Sequence, residues 1–176
     1  YFRPFAPAVP LDDVHRYFEV NHGTSMPFML KVPRVRPDVA HRIPAVTHED
    51  GSGRVQTVTF ASNPVYYRLL KAVERRTGVP IVVNTSFNVR GEPIVCSPRD
   101  ALECFLGTGI DALVLGNCLV TEKPRVEGDG GSGYARSDAL EARMEVAGPV
   151  LDFYRQSPFN SYSNAVDMAI ELMRRN

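Results

Sequence analysis

The chain is restricted first by what it lacks. It contains no tryptophan, and its three cysteines, Cys96, Cys104 and Cys118, are odd in number and show no CxxC spacing. Such a set excludes a disulfide framework and a cysteine zinc site, so we expect buried thiols in a reducing cytosol. The four histidines form no HExxH or closely paired pattern, which predicts that the chain has no metal site of its own.

Net charge and long apolar runs are absent as well. Twenty basic and twenty acidic residues cancel, so no overall field attracts nucleic acid or an anionic membrane. No apolar run approaches the length of a membrane span, and no signal peptide opens the sequence. We therefore expect a cytoplasmic chain without nucleic acid or membrane partners. The first residue is Tyr1 rather than methionine, which suggests an excised portion of a longer protein.

The order of apolar runs and polar caps predicts an α/β fold. The proline-rich segment 1–10 is predicted to be extended. Helices are predicted at 12–20, 63–77 and 97–106, and strands at 26–35, 54–60, 79–83 and 112–115. Because strands and helices alternate over residues 54–116, we expect βαβ-type crossovers. Residues 1–126 form the predicted domain, the glycine-rich stretch 127–133 a flexible linker, and residues 134–176 a helical tail.

One stretch draws most attention as a binding site. The apolar run 79–83 predicts a buried strand, and it leads directly into the polar sequence Asn84-Thr85-Ser86-Phe87-Asn88-Val89-Arg90. A strand that ends in amides, hydroxyls and a guanidinium is typical of ligand sites at a sheet edge in α/β proteins. Because these residue types are also common in turns, a plain polar turn is the alternative interpretation.

Basic residues elsewhere could complete an anion site. Lys31, Arg34 and Arg36 lie on the predicted strand 26–35 and its exit, where they form either a phosphate clamp or a solvated strand edge. Arg54, Gln56 and either Thr57 or Thr59 lie on the predicted strand 54–60 and are candidates for ligand contact. His48 lies in the loop between them, where a histidine is commonly satisfied locally and less commonly binds a ligand.

Several segments resemble one known family. They are RPFAP at 3–7, PFML at 27–30, IPAVTH at 43–48, RVQTV at 54–58, NPVYYRLL at 63–70, TGVPIVVNTSFNVRGEPIV at 77–95, SPRDAL at 97–102 and DALVLGNCLV at 111–120. In this order and spacing they resemble the C-terminal domain of the NodU/CmcH-like O-carbamoyltransferases. The loop at 49–53 reads EDGSG where the family more commonly reads VDGTA, and residues 127–176 match no part of the pattern.

The resemblance implies a YrdC-like fold, a twisted and mostly mixed sheet flanked by helices, with a concave nucleotide site lined by positive charge. Ser86-Phe87-Asn88 looks like the Ser-x-Asn motif that binds ATP phosphates in such proteins, and Lys31 with Arg34 or Arg36 looks like its basic group. The residues expected in the chemical step are Lys31, Arg34, Ser86, Asn88 and Arg90. Those expected to bind the nucleotide or carbamoyl phosphate are Arg3, His48, Arg54, Asn84 and Thr85.

The resemblance also implies an activity. Family members use ATP to convert carbamoyl phosphate into carbamoyladenylate, with Mg²⁺ held through the nucleotide phosphates. An N-terminal domain with bound iron then transfers the carbamoyl group to a hydroxyl acceptor, as in natural-product and antibiotic biosynthesis. Carbamoyl phosphate, ATP and that domain are thus the expected partners, and a homodimer is left open. Two other functions are also left open: a threonylcarbamoyl-AMP synthase, and a nucleotide-binding regulatory module without chemistry.

Overall fold

The structure is a computed structural model that describes residues 5–116, 118–124, 140 and 144. It divides into two compact units, Tyr1–Thr85 and Ser86–Asn176, and helices and short strands occur in both. The predicted α/β composition is therefore confirmed. The predicted linker lies outside the described residues, and so does the predicted tail apart from Leu140 and Met144.

The first unit is built on a mixed three-stranded sheet. Strand β1, Ala6–Pro10, lies between β2, Gln56–Val58, and β3, Val82–Asn84. It runs parallel to β2 and antiparallel to β3. The expected parallel crossover from β2 to β3 is therefore wrong, because β3 runs opposite to β2 and β1 occupies the position between them.

Strand β1 is central although it contains two prolines. All five of its residues are buried, and Pro7 lies opposite Val83 while Pro10 lies opposite Val58. Prolines have no backbone N–H to donate and normally occupy edge strands. The sequence therefore predicted an extended segment here but gave no indication that it would be the middle of the sheet.

The predicted helix at 12–20 is shorter in the structure. A 3-10 turn, Leu11–Asp13, leads into helix α1, Val14–Tyr17. Phe18 then adopts an extended conformation, with φ −125° and ψ 148°, and its side chain is fully buried. The helix ends at this point because Phe18 turns into the core, where it forms an isolated bridge with Val35.

The predicted strand at 26–35 is wrong. Within this segment only Arg34 and Val35 form β-bridges, and residues 27–29 form a turn. Met29 has a φ of 55°, a left-handed conformation that interrupts an extended run. The alternating apolar side chains also face solvent: Phe28, Leu30 and Val32 are 76%, 84% and 53% exposed.

Helix α2, Pro64–Thr77, begins and ends as its sequence predicts. The Asn63 side chain accepts a hydrogen bond of 3.0 Å from the Tyr66 backbone N–H, and Pro64 occupies the first helical position. Gly78 follows the last turn with a φ of 76° and donates its N–H to the Glu74 carbonyl oxygen at 2.7 Å. The helix buries Leu70 against Ala8 and Val58 of the sheet.

A four-residue ion network joins α2 to the turn after β1. Buried Asp13 contacts Arg16 Nη1 at 2.7 Å and Lys71 Nζ at 3.0 Å, and Glu74 contacts the same two cations. Burial raises the pKa of Asp13, but the hydrogen bonds and charges of Arg16 and Lys71 outweigh it and leave that pKa below its usual value. The pKa of Glu74 is lowered mainly by its hydrogen bond with Lys71.

Close packing explains one departure from the family pattern. Phe18 belongs to the core cluster of the first unit, together with buried residues such as Val9, Val46 and Val55. A Cβ added to Gly53 would lie 3.0 Å from Phe18 Cε1 and 3.2 Å from the Val46 carbonyl oxygen. The alanine of VDGTA would therefore require Phe18 to shift.

The second unit is organised around helix α3, Pro98–Gly107. Its capping box pairs Ser97 Oγ with the Asp100 N–H, while the Asp100 carboxylate accepts from the Ser97 N–H. The helix packs on the antiparallel pair β4, Leu113–Leu115, and β5, Cys118–Val120. The buried cluster comprises Ala101, Leu102, Phe105, Leu106 and Leu113, with Leu140 and Met144 packed against it.

None of the helices in the described ranges is long and apolar enough to cross a membrane.

The α3 cap gives a direct stability prediction. Ser97→Ala removes the side-chain acceptor for the Asp100 N–H, so we expect it to lower the free energy of unfolding of the second unit by about 1 kcal/mol. Ser97→Asp retains an acceptor and is expected to change it by less than half as much. Urea unfolding followed by circular dichroism measures both variants. Equal stability of the alanine variant and the wild type would contradict the assigned role of the cap.

Candidate functional site

One end of the sheet in the first unit brings two polar side chains together. Strand β3 ends where β1 begins, since Asn84 pairs with Ala6, and β2 begins at Gln56 opposite Ala8. As a result Asn84 Nδ2 donates a hydrogen bond of 2.5 Å to Gln56 Oε1. The predicted polar end of the strand therefore meets a side chain from a strand 28 residues earlier in the chain.

The loop that follows Met26 lies across this end. The Met26 N–H donates to Thr57 Oγ1 at 2.7 Å, and the Thr57 N–H donates to the Met26 carbonyl oxygen at 3.0 Å. Gln56 Nε2 donates to the Pro27 carbonyl oxygen at 3.2 Å, and Met29 Sδ lies 3.9 Å from Asn84 Nδ2. The loop is thus fixed to β2 and contacts both amides.

Three predicted site residues adjoin this end in sequence, and none has a side-chain partner in the part of the chain that the structure describes. Thr85 directly follows Asn84, Arg54 precedes Gln56 by two residues, and Lys31 lies in the loop beyond Met29. All three are exposed, and their side chains make no hydrogen bond or ion pair with other described residues. Their donors are therefore available to an anion.

The predicted cation group on a single strand does not form, because that strand is absent. Arg34 lies at a bridge with Ser52 and its Nη1 is 3.5 Å from the Asp50 carbonyl oxygen. Arg36 pairs with Asp38 at 3.3 Å, and the two side chains are 46% and 62% exposed. Each arginine therefore has an acceptor, Arg34 a distant backbone carbonyl and Arg36 a nearby carboxylate, whereas Lys31 has none among the described residues. The assignment of Arg34 to the chemical step remains a prediction.

His48 belongs to a local network with a defined proton arrangement. Ser52 Oγ lies 2.6 Å from Asp50 Oδ1 and 3.1 Å from His48 Nδ1. Because a carboxylate only accepts, the Ser52 hydroxyl donates to Asp50, and His48 Nδ1–H then donates to Ser52. These hydrogen bonds from Ser52 lower the pKa of Asp50. The other ring nitrogen of His48, Nε2, is buried without a partner in the described structure, and the assignment of His48 to ligand binding remains a prediction.

In the second unit, the Ser-x-Asn motif opens a tight turn. The Glu92 N–H donates to the Val89 carbonyl oxygen at 3.0 Å, and Gly91 has a φ of 92°, as a type II turn requires. Asn88 Nδ2 donates to the carbonyl oxygens of Val89 at 3.1 Å and Glu92 at 2.9 Å. Both amide hydrogens of Asn88 are therefore in use, whereas Ser86 and Arg90 are exposed.

Comparison with known proteins identifies the family. A family model described as carbamoyltransferase C-terminus matches residues 1–122. The chain belongs to this family. The predicted resemblance is thereby confirmed. Arg3, which lies in the matched region, is outside the described residues.

Relatives of this carbamoyltransferase C-terminal domain come from several bacteria. Nodulation protein NolO of Bradyrhizobium diazoefficiens is 45% identical over 70% of the chain, and nodulation protein U of Rhizobium tropici is 41% identical over 70%. The 3'-hydroxymethylcephem-O-carbamoyltransferase of Amycolatopsis lactamdurans is 38% identical over 66%. The aligned regions cover 23%, 20% and 22% of these proteins, so the chain spans less than a quarter of their length.

A cavity of about 450 Å³ in the second unit of the carbamoyltransferase domain has the wrong charge for phosphate. Asn88 lines it, but so do the carboxylates of Glu92, Asp100 and Glu103, and no lysine or arginine belongs to its described lining. Three carboxylates that line the same cavity would repel a polyanion bound inside it. Phosphate binding by the motif is therefore expected through Ser86 and Arg90 on the exposed surface.

The cysteines of the carbamoyltransferase domain differ in exposure. Cys104 is buried as predicted and Cys118 is partly buried, but Cys96 is exposed, which corrects the expectation of three buried thiols. It lies outside the core because it immediately precedes the α3 cap, where its Sγ is 3.3 Å from Asp100 Oδ2. The hydrogen bond and negative charge of Asp100 raise the pKa of the Cys96 thiol.

In the described parts of the chain, no three His, Cys, Asp or Glu residues are arranged to hold a metal ion.

Two site features of the carbamoyltransferase domain could not be read from the sequence. Gln56 is a candidate from strand alternation alone, but its pairing with Asn84 depends on β1 lying between β2 and β3. The Pro27 carbonyl oxygen carries no side-chain signal at all. Its role follows only from the hydrogen bonds that fix residues 26 and 27 to β2.

Proposed function

We propose that this chain is the part of an O-carbamoyltransferase that uses ATP to convert carbamoyl phosphate into carbamoyladenylate. The fold would be YrdC-like, and Mg²⁺ would be bound through the nucleotide phosphates. Membership of the carbamoyltransferase C-terminus family supports the assignment. One relative is named as an O-carbamoyltransferase, which supports a hydroxyl group as the final acceptor.

The observation that carries the proposal is the polar end of the first unit's sheet. It combines a hydrogen-bonded amide pair, Gln56 and Asn84, with the cations Arg54 and Lys31 of the adjoining segments, which have no partner among the described residues. Carbamoyl phosphate has an amide end and a phosphate end, and ATP adds further negative charge. A site for both therefore requires amide-recognising groups beside several cations.

The chemistry balances in two steps. Water releases inorganic phosphate from carbamoyl phosphate and leaves carbamate. A carbamate oxygen then attacks the α-phosphorus of ATP, and pyrophosphate leaves as the new P–O bond forms. In such a phosphoryl-group reaction the protein acts mainly by positioning the reactants and by stabilising charge, which is a role for Lys31, Arg54, Ser86 and Arg90.

The rest of the reaction is assigned to the remainder of the protein. The relatives are more than four times as long as their matching regions, which supports a preceding domain that the family description places N-terminal to this one. We assign to that domain the bound iron and the transfer of the carbamoyl group to a hydroxyl of a small molecule or sugar.

A product assay tests the proposal. The chain, or the full-length protein that contains it, is incubated with carbamoyl phosphate, ATP and Mg²⁺, and carbamoyladenylate, phosphate and pyrophosphate are measured. We expect equal amounts of all three products. ATP binding without product from the full-length protein would instead favour a regulatory module. Product formed only with threonine and bicarbonate would favour a threonylcarbamoyl-AMP synthase.

Binding measurements test the cations individually. Lys31→Ala and Arg90→Ala are each expected to weaken binding of ATP or carbamoyl phosphate at least tenfold, because a charge-assisted hydrogen bond contributes roughly 1.5–3 kcal/mol. Arg68→Ala is the matched control, since Arg68 is an exposed arginine of α2 without a side-chain partner among the described residues. Unchanged affinity in both test variants would contradict the assignment of these cations to phosphate binding.

A further inference from the structure

The hydrogen-bond chain at the sheet end has only one consistent direction. It starts at the Pro27 carbonyl oxygen, which can only accept, so the Gln56 group facing it must be the amide Nε2. Gln56 Oε1 consequently faces Asn84, and the Asn84 group that meets it must be Nδ2. The backbone of one loop therefore sets the orientation of two side-chain amides in succession.

The loop at which this series of hydrogen bonds begins is fixed to β2. Residue 26, directly before Pro27, exchanges hydrogen bonds of 2.7 and 3.0 Å with Thr57, which is itself buried. Thr57 is the neighbour of Gln56 on β2, so the loop and the strand that carries Gln56 are joined as one piece. The residue that precedes Pro27 is therefore fixed to β2, and the Pro27 carbonyl oxygen itself accepts from Gln56 Nε2.

Asn84 is left with one unused group. Its Nδ2 hydrogens are directed to Gln56 Oε1 at 2.5 Å and to the weak acceptor Met29 Sδ at 3.9 Å. Its Oδ1 makes no hydrogen bond with any described residue, and the residue is only partly buried. The sheet end therefore presents an oriented carbonyl oxygen, which accepts hydrogen bonds and repels phosphate oxygens.

We propose that Asn84 Oδ1 accepts a hydrogen bond from the NH₂ group of the carbamoyl substrate. The Pro27–Gln56–Asn84 chain then selects a carbamoyl group over acyl groups of the same shape that lack an N–H. This inference rests on the proposed function, and it assigns Asn84 specifically to the amide end of the ligand. The cations Lys31 and Arg54 remain for the phosphate.

The physical basis is the near-identity of carbamoyl and acetyl groups in shape. Replacing NH₂ by CH₃ changes the volume little, so packing alone produces only a small difference in binding affinity between the two groups. A fixed acceptor separates them well, because the acetyl analogue leaves that acceptor desolvated and without a partner. Orientation matters as well, since an amide free to rotate could present its NH₂ group to the ligand instead.

Two stable phosphonates provide the test. Phosphonoacetamide carries the amide end and acetonylphosphonate carries a methyl ketone in its place, while both have the same phosphonate. Isothermal titration calorimetry of the wild-type chain, or of the full-length protein that contains it, is expected to show at least roughly tenfold tighter binding of phosphonoacetamide. Asn84→Leu is expected to remove this preference while leaving the affinity for acetonylphosphonate within about twofold of the wild type.

Two further variants show whether orientation is responsible. Gln56→Leu keeps Asn84 but frees its amide to rotate, so we expect the preference to fall to an intermediate value, about threefold. Asn21→Leu replaces an exposed asparagine in another turn, and its preference is expected to equal that of the wild type. A structural role for Asn84 alone would weaken both ligands together and leave their ratio unchanged.

The outcomes separate this inference from the proposed function. Equal binding of both phosphonates by the wild type, or an unchanged ratio in Asn84→Leu, overturns the assignment of Asn84 but leaves the proposed function standing. If neither phosphonate binds to the wild-type protein, both the inference and the proposed binding of carbamoyl phosphate are overturned.

Discussion

Replacing Asp13 with alanine is expected to lower the free energy of unfolding of the first unit by about 3 kcal/mol. Asp13 is only 7% exposed and accepts hydrogen bonds from Arg16 and Lys71, which are also bound by Glu74. Its removal leaves two cations that share a single carboxylate at the junction of α2 with the turn after β1. The estimate is at the lower end for buried pairs because the cations are partly exposed.

The same network makes stability dependent on pH in a defined direction. The pKa values of Asp13 and Glu74 are lowered in the folded state, so their contribution is complete above the unfolded carboxyl pKa values of about 4. The contribution is lost as the pH falls from about 4 through the lower, folded-state values. We expect urea midpoints measured from pH 7 to pH 2.5 to fall less steeply for Asp13→Ala than for the wild type.

An exposed pair provides the control. Asp38 pairs with Arg36 on the surface, and its side chain is 62% exposed. Asp38→Ala is expected to change the free energy of unfolding by less than about 0.5 kcal/mol, because exposed ion pairs contribute little. Equal losses in Asp13→Ala and Asp38→Ala would show that the buried network has no special role.

Phe18→Ala is expected to lower the free energy of unfolding of the first unit by about 4 kcal/mol. Phe18 is fully buried in the core cluster of the first unit, and it forms the extended bridge that ends α1. Truncation would leave a cavity between the buried side chains around it. Phe28→Ala, which removes the same group from a side chain that is 76% exposed, is the matched control and is expected to be close to neutral.

A double-mutant cycle checks the packing that underlies this estimate. Gly53→Ala alone is expected to destabilise by roughly 1–3 kcal/mol, because its Cβ would lie 3.0 Å from Phe18 Cε1. With Phe18→Leu in the same chain, the part of the Gly53→Ala cost that comes from Phe18 should disappear, while the contact with the Val46 carbonyl oxygen at 3.2 Å remains. Strict additivity of the two changes would show that residues 18 and 53 do not constrain each other.

Local sequence signals predicted helices better than strands. Asn63-Pro64 and Ser97-Pro98 each place an N-cap side chain directly before a proline at the first helical position. Because such a start depends only on neighbouring residues, α2 and α3 begin where predicted. Strand pairing depends on distant residues. The proline-rich β1 takes the central position because two later segments, β2 and β3, pair with its two sides. The apolar side chains Phe28 and Leu30 of the PFML segment are instead exposed to solvent.

The candidate site divides in a similar way. Residue types identified Asn84, Arg54 and Lys31 as candidates for an anion site, and the resemblance identified the family. No residue pattern could reveal that Gln56 and Pro27 set the orientation of the Asn84 amide. That information lies in the register of three strands and in one backbone carbonyl group.

The position of β1 also determines when the sheet can form during synthesis. Ala8 pairs with Gln56 on one side and with Val82 on the other, so this apolar segment remains without both partners until residues well downstream of it have been made. Sheets with such distant pairing fold slowly and expose strands that can associate with other chains. Pro7 and Pro10 interrupt the N–H groups that such association would use. Among the described strands β1 has the partners that lie farthest from it in sequence, and its two prolines leave it with fewer N–H groups for such association.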